Sequence, residues 1–230
     1  IHYCQRNHIS TYFITNNSSR STKNYQEKLA ALCVPSDAIH IITSGMATCR
    51  YLKKNYAGKS VYLAGTKALE GELILNHIPL VNDKPDLLVL GFDTTISYEK
   101  LRKICDLVRS GIPYIATHPD INCPVQGGYI PDIGSIMAFI EASTGRQPDV
   151  IIGKPYPPMV DTILEEVHLP KEKICMIGDR LYTDIAMGRN GIHTILVLSG
   201  ETNLEMSRKS NFQADLVLDD LEAVLKLLLK

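Results

Sequence analysis

Two carboxylates just past a short apolar run are the groups in this chain best placed for metal chemistry. In Lys173–Asp184 (KICMIGDRLYTD), Lys173–Ile177 reads as a buried strand, Gly178 breaks it, and Asp179 follows at once. Asp184 stands at the mouth of the next helix, expected over Thr183–Asn190. Carboxylate oxygens suit a hard cation such as magnesium. Ligands in open α/β sheets bind just beyond the carboxyl ends of the strands. Taken alone, the same pattern also fits a turn residue at Asp179 and a dipole-stabilising helix acid at Asp184.

Two further stretches follow strands. Thr15-Asn16-Asn17-Ser18-Ser19-Arg20 offers hydroxyls, amides and backbone N–H groups at a strand-to-helix turn, which suits an anionic phosphate or simply a polar capping loop. Lys154, in Gly153-Lys154-Pro155, can hold a fixed positive charge over a site or be solvated. Donors, one cation and a diacid at the same end of one parallel sheet fit phosphoryl transfer. Neither Asp179 nor Asp184 suits the role of nucleophile, because nothing else would then hold the metal.

The elements that must position these groups alternate strand and helix, the rhythm of a parallel α/β sheet. Strands are expected at Thr11–Thr15, Ile39–Thr43, Ser60–Ala64, Asp86–Gly91, Tyr114–Thr117, Val150–Ile152, Thr194–Leu198 and Leu216–Leu218. Helices are expected over Ser21–Leu32 (Tyr25, Leu29 and Leu32 on one stripe), from Ser44 as N-cap to Tyr56, and over Lys67–Asn76, Tyr98–Ser110, Ser135–Ser143, Pro158–Val167 and Leu221–Leu229. The last is strongly apolar and is expected to dock on the sheet. His118–Pro131, rich in Pro, Gly and Asn, reads as a long functional loop. Two modules interleave: residues 1–57 with 148–230, and an inserted module at 58–147, with hinges at the polar stretches Tyr56–Lys59 and Thr144–Asp149.

The 230 residues carry 24 basic and 25 acidic side chains without a basic block, which argues against a nucleic-acid partner. No apolar run spans a bilayer and no signal peptide is visible, which argues against a membrane partner. Six scattered cysteines without a C-x-x-C pair point to a reducing, cytoplasmic setting. The chain starts at Ile1, in what reads as the end of an amphipathic helix with Ile1 and Cys4 on one face. A lost N-terminal segment is the expectation.

The order TNNSSR, IIGKP, MIGDRLYTDI resembles the haloacid dehalogenase superfamily, most closely its p-nitrophenyl phosphatase, or NagD-like, branch. SGMATCRYL, GFDTTISYEKL, ATHPDINCP and PDIGS–EASTGRQPD are similar to that branch too, so the resemblance runs along nearly the whole chain. It implies an α/β fold, a Rossmann-like parallel-sheet core with a large inserted α/β cap. It also implies magnesium-dependent hydrolysis of small phosphomonoesters through an aspartyl-phosphate. Thr15 would bind the transferred phosphoryl group, Asn16 and Asn17 would support the phosphate, and Lys154 would be the third motif's lysine. Asp179 would bind Mg2+ directly and Asp184 directly or through water. His118 and Asp120 would lie on the cap's substrate-facing loop, and a homodimer could form through the cap.

One departure is large. The family's first strand carries D-x-D-G-[TV], whose first Asp attacks phosphorus, and no such motif occurs here. Asp93 in GFDTTIS is a look-alike that reads as a strand-end turn. The resemblance thus implies a missing βα unit of roughly 20–35 residues. Without it the strands ending at Thr15 and Asp179 lack a common neighbour. A chain in that state is expected to fold poorly alone and to hydrolyse nothing. The competing expectations are a non-catalytic relative binding a phosphorylated ligand or a protein partner, and a generic doubly wound binding domain. Nucleotides, sugar phosphates and pyridoxal phosphate are all open as substrates.

Overall fold

A computed structural model describes residues Ile1–Leu229. The chain begins with α1 (His2–Arg6), β1 (Phe13–Thr15), α2 (Thr22–Ala31), β2 (Ile41–Thr43) and α3 (Ser44–Asn55). It continues through β3 (Val61–Ala64), α4 (Lys67–Leu75), β4 (Leu87–Leu90), α5 (Tyr98–Arg109) and β5 (Tyr114–Ala116). Then come β6 (Asn122–Val125), β7 (Gly128–Pro131), α6 (Ile133–Thr144) and β8 (Val150–Ile151). The last third holds α7 (Pro157–Val167), β9 (Cys175–Gly178), β10 (His193–Val197), α8 (Leu204–Lys209), β11 (Leu216–Leu218) and α9 (Leu221–Leu228). Tyr3–Gly153 form one compact unit and Lys154 begins a second. Residues 1–57 and 58–147, expected in different modules, both lie in the first unit.

In that first unit β3, β4, β5 and β8 make a parallel sheet in the order β3-β4-β5-β8. All four residues of β4 are buried, as a central strand covered on both faces requires. Tyr62, Leu88, Leu90, Tyr114 and Ala116 from this sheet pack with Ile104, Cys105 and Val108 of α5 and with Ile133 and Ile140 of α6. Val150–Ile151, expected in the outer module, instead pairs with β5 in register Ile115↔Val150. Two bonds anchor this pairing: the Asp149 carboxylate accepts the Tyr114 amide (2.7 Å) while the Asp149 amide donates back to the Tyr114 carbonyl (2.8 Å).

Several local expectations change. His118–Pro131 is not a plain loop, because β6 and β7 form an antiparallel hairpin with Asn122 opposite Pro131. A two-residue connection, Gln126-Gly127, closes it with Gly127 at φ +89°. A proline in each strand hid the strand signal. Helix caps also shift toward the preceding strand or loop. Thr43 rather than Ser44 caps α3, accepting from the Met46 amide, and Asp132 caps α6. The expected stripe on α2 is not buried, and Leu32 is 65 % exposed.

The outer module forms two separate parallel sheets rather than one: β1-β2, in the first unit, and β11-β10-β9, in the second. β9 is an edge strand. It was expected to be wholly buried, yet it buries only Met176, and Ile177 is 40 % exposed. The helix expected over Thr183–Asn190 is a 3-10 helix over Ile185–Asn190. α9 buries only Val224, so its docking is far lighter than its apolar sequence suggested. No helix among the described residues is long and apolar enough to cross a membrane.

One half-buried acid ties helices of the first unit together. Glu72 on α4 accepts the hydroxyls of Thr22 and Thr43, both at 3.4 Å, through Oε1. Its Oε2 is buried without a partner. Burial raises the Glu72 pKa, and the two threonine bonds offset only part of that. The same environment pushes the Cys49 thiol up to about 12, through burial first and the Glu72 charge second. A carboxyl whose folded pKa is raised binds its proton more tightly when folded. Stability is therefore lost as pH rises from the unfolded value, about 4.3, through the folded one. Glu72→Gln is expected to remove that component, so denaturant unfolding followed as pH rises from the unfolded carboxyl value, about 4.3, should show a flatter pH dependence than wild type.

Candidate active site

In the second unit a charged cluster forms at the end of β9. Lys154 Nζ lies 2.6 Å from Asp184 Oδ1, and the residues are 8 % and 6 % exposed. The other Asp184 oxygen accepts the Arg180 amide at 3.2 Å. Asp184 makes no side-chain cap to the 3-10 helix it precedes, so it is no ordinary helix-capping acid. Asp179 Oδ2 accepts the Glu201 amide at 2.8 Å. Arg180 reaches over to Glu201, Nε to Oε2, at 2.5 Å.

Two glycines make this approach feasible. A Cβ on Gly178 would fall 2.4 Å from the Asp184 side chain, and one on Gly200 would fall 2.1 Å from Asp179 Oδ2. Both acids are therefore seated against bare backbone. The donor set is all oxygen and holds two carboxylates, which is what magnesium takes from a protein while keeping waters of its own. A carboxylate has about four lone-pair positions. The single bond to Glu201 leaves Asp179 with acceptor capacity, so the residues fit a hard cation.

In the first unit Thr15 ends β1, and its Oγ1 accepts the Asn17 amide at 3.2 Å. The Tyr25 phenol bonds to Thr15, while burial raises the Tyr25 pKa. Asn17 Oδ1 takes both the Ser19 amide (2.8 Å) and the Ser19 hydroxyl (2.7 Å). Hydroxyls from elsewhere hold the loop's carbonyls: Ser44 donates to the Asn16 carbonyl and Thr66 to the Ser19 carbonyl, at 2.5 and 3.0 Å. Burial alternates along the loop. Asn16 and Ser18 are buried, and Thr15, Asn17 and Ser19 are half-buried.

His118 and Asp120, expected to face a substrate, are instead buried at 0 % and 6 % exposure. His118 bonds to Thr117 and Asp132, and Asp120 accepts the Asn16 side-chain amide. With Asp132 they place three potential ligand atoms within 4.8 Å of one another, a second place where a cation could be held. Asp93 is a turn acid, as expected, paired with Lys100 at 2.7 Å. Sequence reasoning missed Ser44, Thr66, Arg180, Glu201 and Gly200. Of these only Arg180, adjacent to Asp179, carried a signal.

A haloacid dehalogenase-like hydrolase model matches residues 1–78, and a HAD-hydrolase-like model matches residues 151–224. An acid sugar phosphatase of Staphylococcus epidermidis is 35 % identical over 207 residues, covering 89 % of this chain and 80 % of the relative. The chain belongs to the haloacid dehalogenase-like hydrolases. Its α/β architecture matches solved members of the family. The 4-nitrophenylphosphatase of Thermotoga maritima superposes with a TM-score of 0.88 at 47 % identity, covering 94 % of this chain and 83 % of that one. A p-nitrophenyl phosphatase from Archaeoglobus fulgidus gives a TM-score of 0.89 at 30 % identity, covering 97 % and 88 %. HAD hydrolases generally use a divalent metal, in keeping with the oxygen donors at Asp179 and Asp184.

The glycine contacts give a direct check on this HAD centre. Gly200→Ala is expected to push the loop off Asp179, lowering stability by about 1–3 kcal/mol, the range for overpacking. An alanine at exposed Gly58 (φ +73°), where nothing lies within 4 Å, provides a control for backbone strain alone. Denaturant unfolding of both variants, with and without magnesium, checks it. If the Asp179 site takes a divalent cation, only Gly200→Ala should weaken the stabilisation that magnesium gives.

Proposed function

We propose that this chain supplies the phosphate- and cation-binding groups of a magnesium-dependent HAD-type phosphatase acting on small phosphomonoesters. The observation that carries the reading is the buried Lys154–Asp184 pair, in a hydrolase whose relatives are named phosphatases. The Lys154 ammonium neutralises phosphoryl oxygens, and the Thr15 hydroxyl donates to the transferring group. Asn17 and the Asn16 backbone support the phosphate. Asp179 and Asp184 hold magnesium. When bound, the ion supplies Lewis-acid charge to the phosphoryl oxygens. Residues 58–147 act as the cap.

The attacking group is the first Asp of a D-x-D-G-[TV] motif. It takes the phosphoryl group as an aspartyl-phosphate, expels the alcohol, and is regenerated by water. Ile1–Lys230 contains no such motif, and in this proposal the carboxylate is one that these residues do not supply. Sugar phosphates lead the substrate classes, on the strength of relatives named acid sugar phosphatase. The six cysteines, none of them in a disulfide among the described residues, support a reducing, cytoplasmic setting. A homodimer contact through the cap would use the β6–β7 hairpin, where Tyr129 and Ile130 are exposed.

Hydrolysis of p-nitrophenyl phosphate with magnesium tests the mechanism. Ile1–Lys230 alone is expected to give no turnover. The same chain joined at its N-terminus to a βα unit bearing D-x-D-G-[TV] is expected to give magnesium-dependent turnover. That turnover should fall by about 10²–10³-fold or more in Lys154→Met, the usual scale for a lost charge-stabilising donor. Turnover by Ile1–Lys230 alone, or none from the joined protein, would contradict the proposal.

A further inference from the structure

A buried hydrogen-bond chain ends at the Thr15–Ser19 loop, and for a neutral imidazole its polarity follows from the far end. Asp132 Oδ1 accepts the Ile133 amide as the cap of α6. His118 Nε2 lies 3.0 Å from that same oxygen, and an ionised carboxylate only accepts, so Nε2 carries the imidazole proton. Nδ1 of a neutral ring is then an acceptor, and the Thr117 hydroxyl, 3.0 Å away, donates to it. Thr117 Oγ1 must therefore accept from Ser18, at 2.9 Å. Ser18 Oγ in turn accepts the Phe92 amide at 2.9 Å. With the imidazole neutral, each bond leaves its neighbour one compatible role, and the chain then runs in a single direction. Ser18, Thr117, His118 and Asp132 are all at most 2 % exposed.

A second bond fixes the loop from the same segment. Asn16 Nδ2 donates to Asp120 Oδ1 at 2.9 Å, across 104 residues of sequence. Gly153 closes the space between them, since a Cβ there would fall 2.6 Å from both Asn16 Oδ1 and His118 Cβ. Holding Asn16 and Ser18 inward leaves Thr15, Asn17 and Ser19 as the less buried residues of the stretch. The ligand atoms of His118 and Asp132 are engaged in these bonds, so the cluster serves the protein's own polar groups before any cation.

We infer that Asp120 and the Ser18–Thr117–His118–Asp132 chain are positioning residues: they set the shape in which the Thr15–Ser19 loop receives an anion. The inference rests on the reading of that loop as phosphate-binding. Coupling follows, because any movement of the 117–132 segment must either carry the loop with it or break buried bonds that have no water to replace them.

The test measures inorganic phosphate affinity by calorimetry, and amide hydrogen exchange of Asn17–Ser19, in the full chain. Thr117→Val keeps the side chain's shape but removes the link, while Thr117→Ser keeps the hydroxyl. Asp120→Ala removes the acceptor, and Asp120→Asn restores one through its carbonyl oxygen. Thr117→Val and Asp120→Ala are each expected to weaken phosphate binding roughly three- to tenfold and to speed exchange in the loop. The serine and asparagine variants should return both to near wild type. A role confined to fold stability would lower the unfolding temperature of Thr117→Val yet leave the affinity of the folded protein unchanged, and that result overturns the inference. If Thr117→Val does not fold, the Asp120 pair decides alone. If wild type binds no phosphate, the phosphate-loop reading fails. Loop exchange then still decides whether these residues set its shape, and unchanged exchange in Asp120→Ala overturns that.

Discussion

A lysine and an aspartate buried side by side set the terms for the second unit. Taking either charge out of water costs several kcal/mol, and only close, well-oriented pairing offsets it. Lys154 and Asp184 meet at 2.6 Å, and the second Asp184 oxygen is satisfied by the Arg180 amide. That seating requires a glycine at 178, because any side chain there would occupy the carboxylate's place. Asp179 is gripped in the same manner by the Gly200–Glu201 backbone, with Arg180 and Glu201 joined across it. Such an arrangement is poor material for stability and good material for a site, since it holds charge ready where a phosphate and a cation can take it up.

The first unit solves a different problem, that of keeping a polar loop in one shape. Its carbonyls are held by Ser44 and Thr66, and its side chains by Asp120 and Thr117. These partners come from the segments that follow β2, β3 and β5, so the parallel architecture is what gathers them. Neutral hydroxyls and amides do the holding. The loop therefore gains rigidity without a local charge that would repel an anion, apart from Asp120, whose carboxylate faces the Asn16 amide.

How much of this was legible depended on the range of the interaction. The strands and helices of residues 60–117 could be read within two residues, because apolar runs and caps are local signals. Thr15, Lys154, Asp179 and Asp184 were singled out because they follow strands in a familiar order. The β6–β7 hairpin was missed since its prolines masked the alternation. The pairing of β8 with β5 was missed since it is anchored by Asp149 reaching Tyr114, a contact 35 residues apart. His118 and Asp120 were placed on a substrate-facing loop by the family resemblance alone. Their burial depends on partners at Asn16, Thr117 and Asp132 that no local pattern announces.

The central claim is that Lys154 serves the phosphate while Asp179 serves the cation. Calorimetric titration of magnesium and of inorganic phosphate into wild type, Lys154→Met and Asp179→Asn tests it most directly. The account expects Lys154→Met to lose phosphate affinity by tenfold or more, about 1.4 kcal/mol, while magnesium binding is kept. It expects Asp179→Asn to lose magnesium. Magnesium binding that vanishes in Lys154→Met, or persists unchanged in Asp179→Asn, would contradict it.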